Sequence, residues 1–236
     1  MRDPHEALRL HRWDATPAEA RALQDAWRDK VERRDRFGRV QRVAGADLAF
    51  DPPGRPTWKS GEALAGVVVF SYPDWKELES AFVRCAVTFQ YVPGLLSFRE
   101  IPAILGAVAR LREVPDLIFC DGHGYAHPRR MGLASHLGVL LDTPTIGCAK
   151  SLLVGEYREP PKRAGAWTPL MEGGERIGAV LRTRASVRPM YISVGHRVSL
   201  ETAVALTLEA CNGPRVPLPT RRADRYVAQI KRGEHP

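Results

Sequence analysis

Residues Val114–Ala149 read VPDLIFCDGHGYAHPRRMGLASHLGVLLDTPTIGCA, and their pattern decides the fold class. Val114–Cys120 is short and almost wholly apolar, which suits a buried strand. Met131–Leu141 suits a helix, and Pro144–Ala149 is a second short strand. Asp121 follows the first strand directly. Gly122, His123, Gly124, His127, Arg129 and Arg130 come next, so acid, open backbone and base share a dozen residues. In open α/β sheets, sites gather beyond the carboxyl ends of the strands, which makes Asp121 a candidate. Gly122 and Gly124 would let backbone approach a ligand closely. The alternative is an ordinary turn aspartate after a strand.

Upstream, Thr16-Pro17-Ala18-Glu19 starts a helix with a capping threonine, proline at the first position and Glu three residues after the cap. Ala20, Leu23, Trp27 and Val31 recur at helical spacing, and RDKVERRDR reads as the solvated face. Arg42–Phe50 (RVAGADLAF), Ala65–Ser71 (AGVVVFS) and Leu78–Phe89 read as strands, with the turn-rich DPPGRPTWKSGE joining the first two as a hairpin. Ile104, Leu105, Val108 and Leu111 mark a helix from Ile101. Gly155–Trp167 reads as a surface loop, and Arg176–Thr183 with Pro189–Val194 as a late hairpin. Val198–Cys211, capped by Ser199, and Thr220–Arg232 read as helices. Strands joined first by hairpins and then alternating with helices predict an α/β domain. Its central mixed β-sheet is flanked by helices on both faces, and residues 1–236 form one domain.

Apolar residues make up 44% of the 236, enough to bury a core without metal or disulfide staples. Cys85, Cys120, Cys148 and Cys211 are scattered without a CxxC pair, as reduced core thiols of a cytosolic protein would be. No run approaches a membrane span, and the charged N-terminus reads as no secretory signal. The net charge of +8, carried mostly by arginine, points to anionic partners and to phosphate in particular. A GC-rich genome would also raise arginine.

Four acids stand out. Asp47 interrupts an apolar strand, where a carboxylate is costly unless paired or bound to a cation. Glu100 either joins a site or closes a capping box begun at Ser97, although Pro102 would delay the helix. Asp224 lies in the first turns of the last helix, where acids are favoured in any case. Asp121 completes the set. His123 and His127 are four apart, but Gly122, Gly124 and Pro128 oppose a helix there, which disfavours zinc. His127 beside Arg129 and Arg130 suits phosphate. Tyr91 precedes Val-Pro-Gly on a rigid turn, so its ring either packs or inserts into a base stack.

Six blocks occur in order: VAGADLAF, YVPGLLSFRE, DGHGYAHPRRMGLASH, TPTIGCAK, SVGHRVS and PLPTRRAD. Together they resemble the endonuclease V family, nucleases that recognise deaminated purines. The resemblance implies a ribonuclease H-like fold and a nuclease that holds Mg²⁺, with Mn²⁺ able to substitute, on Asp47, Glu100, Asp121 and Asp224. Lys150 matches the family's active-site lysine, His127 its phosphate-side histidine and Tyr91 its wedge. Pro93, Gly94, Leu96, Gly122 and Arg129 fall among the expected substrate contacts. The resemblance further implies nicking at the second phosphodiester bond 3′ to deoxyinosine. The expected protein is a cytoplasmic monomer acting on damaged DNA. Alternatives are an inosine-specific endoribonuclease acting on inosine RNA and a silent lesion-binding protein. Where the family usually has proline before the tyrosine, Gln90 stands here, which implies a less rigid wedge loop.

Overall fold

The computed structural model describes residues 2–51 and 61–234. Eight strands form one mixed sheet in the order β3-β2-β1-β4-β5-β8-β7-β6. The strands β1 (Arg42–Asp51), β2 (Glu62–Ser71) and β3 (Glu77–Ala86) form an antiparallel meander. β4 (Leu117–Cys120) and β5 (Thr145–Ala149) run parallel to β1, so three carboxyl ends reach the same edge. β8 (Met190–His196) lies antiparallel to β5, and β7 (Glu175–Leu181) and β6 (Trp167–Glu172) complete the sheet.

Both faces of the sheet are covered, which is why β2 is buried along nearly its whole length rather than at alternate residues. Ala63, Ala65, Val67 and Val69 pack in the cluster shared with α3 (Leu96–Val108) and α4 (Leu133–Leu141). Leu64, Val68 and Phe70 meet α6 (Leu218–Lys231) on the other face. There, α5 (Leu200–Cys211) covers Val43, Leu117, Phe119 and Ile192. Ser199 caps α5 by accepting the Thr202 N–H. Cys120, Cys148 and Cys211 are buried, Cys85 is half-buried, and all four are free thiols. No helix among the described residues is long and apolar enough to cross a membrane.

Several boundaries differ from the sequence reading. The helix α2 (Pro17–Trp27) has the expected capping box on Thr16 and Glu19 but stops before Val31. After a single 3-10 turn (Arg28–Lys30) the chain runs as a strap. Its polar groups are captured by the β8–α5 junction: Arg197 N–H donates to Glu32 O at 2.6 Å and Ser199 N–H to Asp35 Oδ1 at 2.7 Å. α3 begins at Leu96 rather than Ile101, and Pro102 sits inside it. β6 escaped the sequence reading because Pro169 interrupts a run that only an edge strand tolerates. The short α1 (Pro4–Leu8), capped by Asp3, was also missed. Most of the expected connection DPPGRPTWKSGE lies outside the described residues.

Candidate active site

Asp47 sits on β1, two residues past Gly45, and pairs in register with Gly66 of β2. These glycines let α6 lie directly on the sheet. A Cβ at Gly45 would stand 2.1 Å from the Pro219 carbonyl carbon, and one at Gly66 would stand 2.7 Å from Val227 Cγ2. The helix thereby brings exposed Asp224 over the end of β1. Asp121 follows Cys120, whose register partner on β1 is Ala46, so it leaves the sheet level with Asp47. Lys150 follows the last residue of β5. Glu100 comes from the first turns of α3 on the opposite face.

These acids share one field. Burial pushes the Asp47 carboxyl up to about 7, and the charges of Asp121 and Asp224 add to the rise. Glu100 is pushed up to about 8 by burial, then by Asp47 and Asp121. Burial works against the Lys150 ammonium, but its hydrogen bond to Asp121 and the charges of Asp121, Asp47 and Asp224 outweigh that and raise its pKa. Lys150 Nζ forms an ion pair with Asp121 Oδ2. As placed, no three His, Cys, Asp or Glu side chains among the described residues are gathered closely enough to grip an ion. The donor set nevertheless fits a hard divalent cation. It is all carboxylate oxygen, and mutual repulsion that lifts two pKa values is what such a cation offsets.

A cavity of about 230 Å³ opens beside the acids. Tyr91, Pro93, Gly94, Leu96, Gly122 and His127 all line it, and Gly122 adjoins Asp121. The Asp121–Gly122 junction therefore joins the carboxylate cluster to a recess with room for one base. α3 supplies one wall. Its cap residue Leu95 offers no side-chain hydrogen bond, so the N–H groups of the first turn, at Leu96 and Ser97, begin the helix uncapped beside the cavity. The expected capping box is absent: Ser97 Oγ instead bonds to His136 Nδ1 at 3.0 Å, which frees Glu100 from a capping role.

The basic residues beside the cavity are tied into the protein. His127 is only 3% exposed. Its Nε2 donates to Gly94 O at 2.9 Å, while Nδ1 accepts the Arg129 N–H at 3.2 Å. Burial, then the neighbouring Arg129 charge, pushes its pKa down to about 3, so it offers a phosphate no charge at neutral pH. Arg129 donates to Gln24 Oε1 at 2.6 Å and to Gly94 O at 2.9 Å. Arg130 pairs with Glu172 and Glu175 of the β6–β7 hairpin. All three are thus engaged with acceptors inside the protein. His123 Nε2 donates to Ser151 O at 3.0 Å, a different partner from that of His127. The space a Cβ would need at Gly124 is taken by Val194 O at 2.2 Å, so this glycine serves packing rather than a ligand.

Three features were not anticipated from sequence. Leu152 and Leu153 are 42% and 41% exposed at the mouth of the cavity, and the only signal was a leucine pair in an otherwise polar loop. Arg215 donates to Lys150 O at 3.0 Å and to Pro189 O at 2.9 Å, fixing the backbone behind the lysine. Gln24 is 1% exposed at the back of the cavity, with no local sequence signal. A larger cleft of about 840 Å³ lies away from the acids. Several of its charges pair internally, as in Arg33–Glu175 and Arg176–Glu201.

The family profile described as Endonuclease V matches residues 25–225. A curated relative named Endonuclease V from Roseiflexus sp. (strain RS-1) is 52% identical over 213 residues, covering 90% of this chain and 92% of its own. The crystal structure of the Endonuclease V from Streptomyces avermitilis superposes with a TM-score of 0.85 at 42% identity, covering 94% of this chain and 95% of that one. Endonuclease V of Ciona intestinalis, in complex with a 24mer DNA containing an inosine followed by a ribo-adenosine, superposes with a TM-score of 0.77. Its identity is 28%, with coverage of 92% of this chain and 98% of that one.

Proposed function

Since the chain belongs to the endonuclease V family of nucleases, we propose that it is a Mg²⁺-dependent endonuclease that recognises deaminated purines in DNA, deoxyinosine above all. On this reading it nicks the strand at the second phosphodiester bond 3′ to the lesion and so initiates repair. The observation that carries the reading is the Asp121–Gly122 junction, where a cluster of mutually repelling carboxylates adjoins a recess with room for one base.

Asp47, Glu100, Asp121 and Asp224 would hold Mg²⁺, with Mn²⁺ able to substitute. A divalent cation there supplies charge neutralisation for the phosphate and acidifies a bound water. Lys150, kept protonated by the surrounding acids, exchanges its Asp121 partner for a phosphate oxygen. Its charge then offsets the negative charge that accumulates as the phosphodiester is attacked. Arg215 holds the Lys150 backbone still while its side chain changes partner.

Recognition falls to the cavity. A flipped hypoxanthine presents a C6 carbonyl, an acceptor for the uncapped N–H groups at Leu96 and Ser97. Adenine presents an amino group there and is refused. Guanine carries a 2-amino group that hypoxanthine lacks, and a tight recess excludes it. Tyr91 fills the gap left in the stack, and Leu152 with Leu153 offers a second apolar contact across the cavity mouth. Pro93 and Gly94 shape the turn that carries Tyr91. Damaged DNA is the partner and the chain acts as a monomer in the cytoplasm.

Inosine RNA is the second reading, favoured by the ribonucleotide after the inosine in the oligonucleotide bound to the Ciona relative. One assay tests both: matched DNA and RNA oligonucleotides carrying one inosine, incubated with Mg²⁺ or with EDTA. Mg²⁺-dependent nicking of DNA supports the proposal, and cleavage of RNA alone replaces it with the second reading. Asp121→Ala should abolish nicking yet bind inosine DNA in Ca²⁺; full activity in that variant would overturn the metal assignment.

A further inference from the structure

α2 lies outside the sheet, yet its most buried polar residue reaches the cavity. Gln24 Nε2 carries two hydrogens. One goes to Gly94 O at 3.1 Å and the other to Met131 O at 2.9 Å. Gly94 belongs to the wall formed by Tyr91–Leu96, and Met131 immediately precedes Gly132 and Leu133 on the facing wall. The remaining polar atom, Oε1, accepts Arg129 Nε–H at 2.6 Å. Every polar atom of a buried amide is thereby satisfied, as burial requires.

The Gly94 carbonyl receives two further donors, His127 Nε2 and Arg129 Nη2, each at 2.9 Å. Three donors converging on one oxygen fix the orientation of the Gly94–Leu95 peptide. Gly94 has φ of +78°, a conformation that leaves a side chain strained and a peptide free to rotate unless it is held. A Cβ there would also stand 3.0 Å from Arg129 Nη2. Two residues later α3 begins uncapped, and its first residues, Leu96 and Ser97, line the cavity.

We infer that Gln24 is a positioning residue that sets the width of the base-recognition cavity, acting as a cross-strut between the Gly94 and Met131 carbonyls. The inference rests on the reading of that cavity as the base pocket. A strut of fixed length keeps the walls close enough to exclude the guanine 2-amino group and keeps the α3 donors aimed at the C6 carbonyl. A side chain of similar size without the amide leaves two buried carbonyls competing for the remaining donors, and the walls relax.

The test compares wild type with Gln24→Leu and Gln24→Glu on duplexes containing hypoxanthine or guanine at one position, with melting temperatures measured alongside. Gln24→Glu retains the acceptor for Arg129 but sets a carboxylate oxygen against two carbonyls, so it separates the strut from a mere anchor for Arg129. The expected result for both variants is a KM for hypoxanthine DNA raised about tenfold, as the loss of one or two buried hydrogen bonds implies. kcat should change much less, and preference over guanine should fall by a similar factor. Arg129→Met, which removes one of the three donors to Gly94 O, should lower the same preference and provides the comparison if neither Gln24 variant folds. Retention of the wild-type preference by the Gln24 variants overturns the strut, as does wild-type behaviour of Gln24→Glu or a parallel loss of kcat, KM and melting temperature. A wild type unable to nick hypoxanthine DNA or RNA instead overturns the reading of the site itself.

Discussion

At the scale of single residues, Glu100 and Asp47 are held away from their ordinary ionisation, first by burial and then by neighbouring carboxylates: Asp121 and Asp224 for Asp47, Asp47 and Asp121 for Glu100. Each binds its proton more tightly in the folded chain than in the unfolded one. The stability they lend is therefore full below the unfolded carboxylate range near pH 4 and is lost as pH rises through about 7 for Asp47 and about 8 for Glu100. In EDTA, the stability difference between wild type and Glu100→Gln should shift in favour of the variant as pH climbs from 5 to about 9. Comparing the two chains removes the opposite trend from His123, His127 and His196, whose pKa values burial lowers. Parallel denaturation midpoints across that range would refute the raised Glu100 pKa. Asp47 was legible as a carboxylate in an apolar strand. Asp224 was not, because an acid near a helix start is ordinary. Gln24 was invisible, since its three partners lie 70 to 107 residues away.

At the scale of elements, the site depends on how closely α6 rests on β1 and β2. Main chain meets main chain at Gly45, so a methyl group there cannot be accommodated by a rotamer change. Gly45→Ala should destabilise the fold by about 1–3 kcal/mol or more, the cost typical of an overpacked core. It should also lose nicking activity beyond what the unfolded fraction explains, because Asp224 rides on the displaced helix. Thermal melts paired with specific activity check this, and wild-type activity in the folded variant would detach α6 from catalysis. β1, β2, β4, β5, β7 and β8 were legible from their apolar runs, and α2 and α5 from their caps. α3 was read five residues late because Pro102 looked like a helix start, and β6 was lost to Pro169. Proline reports what a position lacks, an N–H, but not whether the surrounding fold needs it.

At the scale of the whole molecule, a parallel core with antiparallel wings brings the ends of β1, β4 and β5 to one edge. There, Asp47, Glu100, Asp121 and Asp224 share one field, and Gly122, next to Asp121, lines a cavity that Tyr91 also lines. On the proposed function, catalysis and recognition are adjacent but separable. Tyr91→Ala should reduce the preference for inosine over undamaged duplex about tenfold, the value of one base-stacking contact, with a smaller loss in overall binding. Competition binding in Ca²⁺ measures both, and an unchanged preference would return Tyr91 to packing. The sequence by itself determined the fold class, most strands and the order of the six blocks, because apolar period and turn chemistry are local. It also determined which residue types could bind a cation. Only the tertiary structure decided that His127, Arg129 and Arg130 pair with internal acceptors, that Gly124 packs against Val194, and that Gln24 joins the Gly94 and Met131 carbonyls. Those roles depend on which donor reaches which acceptor first, and that is settled by the three-dimensional path of the chain.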